Sequence, residues 1–207
     1  MSERRSPPAS SRHVAQTALG PVALTAVAGA ITALDILPAG TATSPGPAPP
    51  LLSAAFAQLR QYLDGQRQVF DLPLAPAGTT FQRKVWTLLT QIPHGTTATY
   101  GDIAAQAGQP GAARAVGGAC HHNPIPVFIP CHRVVAAGGK LGGFGLGLPL
   151  KQRLLKLEQG LGLGQGPVKP GTRFTASERD TAGDDQRPPS EQRGTPAGKF
   201  QATPQTG

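Results

Sequence analysis

The sequence predicts a mixed α/β (α+β) protein with two folded parts, a small N-terminal α/β domain and a C-terminal domain built around a helix-turn-helix. Aliphatic residues alternate loosely across 20–37 as a pair of strands would. Three later stretches carry apolar residues at helical spacing, and two short helix signals flank the turn Gly108-Gln109-Pro110-Gly111. A chain of 207 residues has the length to bury such a core.

Residues 1–17 hold Arg4, Arg5 and Arg12 among serines, without the continuous apolar run of a targeting peptide, and read as a flexible N-terminus. The N-terminal domain is assigned to 18–77. It opens with Val22, Leu24, Val27, Ile31, Leu34 and Ile36 on two strands joined near Gly29; this stretch is too short and too polar to span a bilayer. A Pro/Gly-rich loop over 38–50 leads to Leu52, Ala55, Phe56, Leu59 and Leu63, a helix that stops at Asp64-Gly65. Val69 to Leu74 reads as a short strand and Pro76 to Thr79 as a linker.

The second domain is assigned to 78–165. Phe81, Val85, Leu88, Leu89 and Ile92 share one helix face, which ends at Pro93 and Gly95. Thr99 is placed to N-cap a helix over 102–107, with Asp102 completing a capping box. The turn at 108–111 and a second helix over 112–119 complete the helix-turn-helix. A glycine-rich loop from Gly138 to Gly145 precedes a last helix, about Pro149 to Gln159, anchored by Leu150, Leu154, Leu155 and Leu157. Residues 166–207 are rich in Pro, Gly, Ser, Thr and mixed charge, with Phe174 and Phe200 as their only aromatics, and read as a disordered tail.

Nearly all of the net charge of +8 lies before residue 167, since the tail from there holds six Lys/Arg and five Asp/Glu. From 103 to 157 there is no acid, only Arg114, Arg133, Lys140, Lys151, Arg153 and Lys156. One-signed charge of that extent suggests an anionic partner, with nucleic acid the commonest. Arg114 is the only charge on a helix of Ala, Val and Gly, small residues that allow close approach to another surface.

The two cysteines, Cys120 and Cys131, make no secreted disulfide framework, so a soluble cytoplasmic protein with free thiols is expected. Cys131 follows a stiff apolar run containing Pro124, Pro126 and Pro130, and precedes His132 and Arg133. A free thiol titrates near ~8.5 and needs a base or a nearby positive charge to be reactive at neutral pH. His132 and Arg133 are candidates for both. Read by itself, a Cys-His pair is more often a small buried hydrophobe beside a histidine than a nucleophile, and the three prolines are what shift Cys131 toward a presented side chain. Cys120, His121, His122, Cys131 and His132 also form the donor set of a metal-binding module, though their spacing matches no common finger. Glu158 is the only carboxylate between Asp102 and Glu178, and sits unfavourably in the last turn of its helix.

Five stretches together resemble the O6-alkylguanine-DNA alkyltransferases: Phe81 to Trp86, Thr99 to Ala104, Ala112 to Ala119, Asn123 to Val135, and Leu154 to Glu158. The resemblance implies a ribonuclease H-like N-terminal domain and a winged-helix-like catalytic domain. It implies direct-reversal repair of double-stranded DNA containing O6-alkylguanine, with O4-alkylthymine left open, by a monomer that uses no cofactor and no metal and acts once per molecule. Cys131 is then the alkyl acceptor, His132 activates it through a water, Glu158 orients His132, and Asn123 braces the turn. Tyr100 assists nucleotide rotation and departure of O6, Arg114 fills the space left by the flipped base, and the carbonyls of Cys131 and Val134 recognise the guanine amino group. Gly101 and Gln109 are assigned to the DNA surface with Arg114. Some relatives carry zinc in the N-terminal domain; here that region has no cysteine and only His13, so none is expected. Phe144 and Gly145 stand where relatives carry a tyrosine and a polar residue, which leaves tolerance for bulky alkyl groups open.

Overall fold

The computed structural model describes residues 9–160; the assigned tail lies outside them, as do the first eight residues. A three-stranded antiparallel meander, β1 (Ser10–Thr17), β2 (Gly20–Val27) and β3 (Ala30–Ile36), opens the chain in the order β1-β2-β3. The strand β1 corrects the reading of 1–17 as flexible. Its side chains are mostly half-exposed, with only Val14 buried, so it lacks the buried apolar run that marks β2. Cross-strand pairing holds it, with Ser10 opposite Val27 and Thr17 opposite Gly20.

Helix α1 (Pro50–Leu63) packs on the sheet, buries Leu52, Ala55, Phe56, Leu59 and Tyr62, and begins with a proline at its first turn, where a missing N–H costs least. Val69 to Leu74 is no strand. It is a loop that makes a single parallel bridge, Leu74 to Ile31, through Ile31 N–H to the Pro73 carbonyl at 2.8 Å and Ala75 N–H to the Ile31 carbonyl at 2.9 Å. Pro73 has no N–H to extend a ladder. The same edge of β3 gives Leu34 N–H to the Pro124 carbonyl at 2.9 Å, so the run leading to Cys131 is tied to the first sheet by backbone.

Helix α2 (Thr80–Thr90) starts with a capping box of Thr79 and Gln82. Thr99 caps α3 (Tyr100–Gln106) with Asp102 as expected, and α4 (Ala113–His121) follows the turn, so the helix-turn-helix is present with boundaries shifted by one or two residues. A two-residue parallel pair joins β4 (Ala98–Thr99) to β5 (Val134–Val135), and α5 (Leu148–Glu158) closes the described chain. One apolar core runs through both parts, from Leu24, Leu59 and Tyr62 to Trp86, Ile129 and Cys131. Among the described residues, no helix is long and apolar enough to cross a membrane.

Trp86, 1 % exposed, ties α2 to α4 by donating its indole N–H to the Ala119 carbonyl at 2.9 Å. Trp86→Phe removes that donor and leaves a gap in the core. It is expected to lower unfolding free energy by about 2–4 kcal/mol in chemical denaturation.

Candidate active site

The run 123–131 is shaped by its own polar contacts before any catalysis enters. Asn123 accepts from Ile125 N–H at 3.0 Å, and its amide donates to the Ile129 carbonyl at 2.8 Å and to the Cys131 sulfur at 3.1 Å. Val127 sits at φ 74, a left-handed conformation that a β-branched residue adopts only when its surroundings force it. Three prolines and this clamp hold the segment as a tight loop, and a 3₁₀ turn over Cys131–Arg133 delivers the thiol at its end.

Cys131 is 4 % exposed. Burial pushes its thiol up from the usual value, offset in part by the Asn123 hydrogen bond and the Lys151 charge. Arg133 does not supply that positive charge, contrary to the sequence reading. Its Nη1 donates to the Ile92 carbonyl at 2.6 Å, and its Nε and Nη2 grip Glu158 at 2.8–3.1 Å.

Glu158, buried at 6 % exposure, is the hub. Its Oε1 accepts from His132 Nε2 at 2.9 Å, from Arg133 Nη2 at 2.8 Å and from the Tyr62 hydroxyl at 2.7 Å. Its Oε2 accepts from Gly95 N–H at 3.1 Å. Burial favours the neutral acid, but the hydrogen bonds and charges of His132 and Arg133 more than offset it and hold the carboxyl far below the usual carboxylate range. Burial also pushes the His132 imidazole down, so Arg133 is the lasting counter-charge. With an ionised oxygen facing Nε2, that nitrogen carries the hydrogen and Nδ1 holds the lone pair. Nδ1 is buried and has no hydrogen-bond partner among the described residues.

Tyr100, Arg114, Gly117, Cys120, His121, Phe144 and Gly145 line a cavity of about 600 Å³, and Cys131 is not part of that lining. Tyr100 donates to the Gly143 carbonyl at 3.1 Å; burial and then the Cys120 and Cys131 thiols push its hydroxyl up to about 12. The loop approaches it closely: a Cβ on Gly142, at φ +64, would lie 2.9 Å from the Tyr100 ring. Arg114 is exposed, as are Gly101 and Gln109, but the latter two lie outside the cavity lining. A larger cavity of about 830 Å³ is lined by Phe70, Trp86, Ile92, Phe128 and Arg133; neither cavity has Cys131 or His132 in its lining. The metal-module alternative is not supported, since among the described residues no three His, Cys, Asp or Glu gather to hold an ion.

Two residues escaped the sequence reading. Lys151 is fully buried, donating to the carbonyls of Val134 at 2.6 Å, Gly143 at 3.2 Å and Leu141, and burial brings its ammonium down to about 8. One lone pair of the Val134 carbonyl assigned to base recognition is therefore already engaged. Tyr62 is the other. Each is a polar-tipped residue on the apolar stripe of its helix, which is the signal that marks it.

Glu158→Gln leaves Arg133 buried without its counter-charge and is expected to cost about 3–5 kcal/mol of stability. Because the folded carboxyl titrates below its unfolded value of ~4.3, the wild-type contribution is complete above that pH and drains as the pH falls below it. The variant's stability in acid titration should lack this limb.

Two family models cover most of the described chain: the ribonuclease-like domain of 6-O-methylguanine DNA methyltransferase matches residues 11–76 and its DNA binding domain residues 80–160. The methylated-DNA-protein-cysteine methyltransferase of Mycobacterium tuberculosis strain H37Rv is 45% identical over 146 residues, 68% of this chain and 87% of its own. That of Methanosarcina acetivorans is 54% identical over 101 residues, 49% of this chain and 65% of its own. The crystal structure of Mycobacterium tuberculosis OGT in complex with DNA aligns with a TM-score of 0.66 at 43% identity, covering 73% of this chain and 94% of that one. The domain pairing, the fold and the identity over nearly the whole of the relative agree, and the chain belongs to the 6-O-methylguanine DNA methyltransferase family, the methylated-DNA-protein-cysteine methyltransferases of DNA alkylation repair.

Proposed function

We propose that this chain repairs O6-alkylguanine in double-stranded DNA by transferring the alkyl group, once and irreversibly, to Cys131. The observation that carries the reading is the buried Cys131 thiol, held by Asn123 at 3.1 Å and followed in the chain by a His132 whose Nε2 is committed to Glu158 and whose Nδ1 is free. The Cys131 sulfur attacks the O6-bound carbon; the S–C bond forms and the C–O bond breaks. The thiol proton passes through a water to His132 Nδ1, and the departing O6 is met by the Tyr100 hydroxyl. A thiol raised by burial stays protonated until substrate arrives, which is why a base is needed.

The alkyl group lies inside a duplex, so the nucleotide has to be extruded before the thiol reaches it. The cavity of about 600 Å³ has room for a base, and exposed Arg114 on α4 stands at its edge to fill the vacated stack. The free lone pair of the Val134 carbonyl and the Cys131 carbonyl read the guanine amino group, while Gly101 and Gln109 belong to the DNA-facing surface. The basic stretch from 103 to 157 and the DNA complex of the Mycobacterium tuberculosis relative support the partner. Nothing among the described residues provides a route to remove an alkyl group from the sulfur, so the protein is consumed.

Incubation with O6-methylguanine duplex DNA should add one methyl group, mapped by mass spectrometry to the peptide containing Cys131; a second turnover or another site overturns the mechanism. Arg114→Ala should slow transfer from duplex DNA by about tenfold or more while leaving transfer from free O6-benzylguanine within about twofold. Equal losses on the two substrates would remove Arg114 from base extrusion.

A further inference from the structure

We propose that Tyr62 is a positioning residue for alkyl transfer: donated by the N-terminal domain, its hydroxyl shares the Glu158 oxygen that holds His132 and thereby keeps that imidazole a neutral base with Nδ1 free. This rests on the assignment of His132 as the base of the transfer.

Tyr62 lies near the end of α1, fully buried, packed between Phe70 at 5.1 Å and His94 at 6.1 Å between ring centroids. Its hydroxyl is 2.7 Å from Glu158 Oε1, and His132 Nε2 is 2.9 Å from the same atom. The two donors are themselves 3.3 Å apart, the separation that sharing one acceptor produces. Burial, followed by the Glu158 charge, raises the phenol well above its ordinary value, so it remains a donor throughout the working pH range.

The consequence is electrostatic. A carboxylate that accepts from one donor pulls strongly on it and raises the basicity of an imidazole bound through Nε2; each added donor on the same oxygen weakens that pull. His132 faces Glu158 and Lys151 from α5, Arg133 and Cys131 from its own turn, His94 from the loop before β4, and Tyr62 from α1. Of these, Glu158 alone favours the imidazolium. Tyr62 moderates it, and does so from a different domain than every other member of the relay.

Tyr62→Phe keeps the ring and removes only the shared hydrogen. The His132 imidazole, followed by ¹⁵N NMR across pH, should show the Nε2–H tautomer in the wild type, and its midpoint should rise by about one unit in the variant. The acid limb of alkyl transfer from free O6-benzylguanine should rise with it, because the base must be neutral to act. Phe70→Leu, which disturbs the packing of the Tyr62 ring but not its hydroxyl, should lower thermal stability and leave both midpoints in place. An unchanged His132 midpoint in Tyr62→Phe overturns the proposal, as does an equal shift in Phe70→Leu. The NMR titration reads Tyr62 even if the wild type transfers no alkyl group, an outcome that would instead overturn the functional assignment.

Discussion

Glu158 is an ionised carboxylate taken almost entirely out of water, and much of the molecule is arranged around keeping it so. A lone buried carboxylate would take up a proton or draw in solvent. Here Arg133 supplies the charge, and Gly95 N–H, His132 and Tyr62 supply hydrogen bonds. Those partners come from α1, the loop before β4 and the 3₁₀ turn over Cys131–Arg133, so satisfying one side chain of α5 joins three other stretches of chain to it. Arg133 also donates to the Ile92 carbonyl, two residues beyond α2.

The thiol inherits its setting from that arrangement. The turn that presents Cys131 is pinned on one side by the Asn123 clamp and on the other by the commitment of His132 and Arg133 to Glu158. The positive φ of Val127 stores strain in a segment whose carbonyl at Pro124 is tied to β3. Such a segment has little freedom to relax. A thiol held this way loses little entropy on meeting an electrophile, which suits the proposed transfer. Lys151 does comparable work at the cavity, drawing the carbonyls of Val134, Leu141 and Gly143 toward one ammonium and so fixing the glycine loop beside Tyr100.

Local pattern made the helices legible. The apolar stripe from Phe81 to Ile92 and the Thr99–Asp102 capping box depend on neighbours in sequence, and both are where they were read. The strand β1 and the loop at 69–74 were misread for the opposite reason. The first is a strand because a partner pairs with it despite weak alternation, and the second fails as a strand because only one bridge partner reaches it. Arg133 shows the same limit at the site. Adjacent to Cys131 in sequence, it reads as an activator of the thiol, yet its side chain leaves in the direction of Glu158.

By itself the sequence determined the mixed α/β class, the helix-turn-helix, the one-signed charge of 103–157 and the Pro-Cys-His-Arg setting of the thiol, because each of these is written in nearby residues. Only the tertiary structure decided which nitrogen of His132 is free, that Glu158 is buried and ionised rather than an exposed helix end, and that Tyr62 and Lys151 belong to the site. Those properties depend on dielectric environment and on contacts between residues up to 96 positions apart, as for Tyr62 and Glu158. Local pattern marks Tyr62 and Lys151 as polar tips on apolar stripes, but what those tips meet is set by the fold.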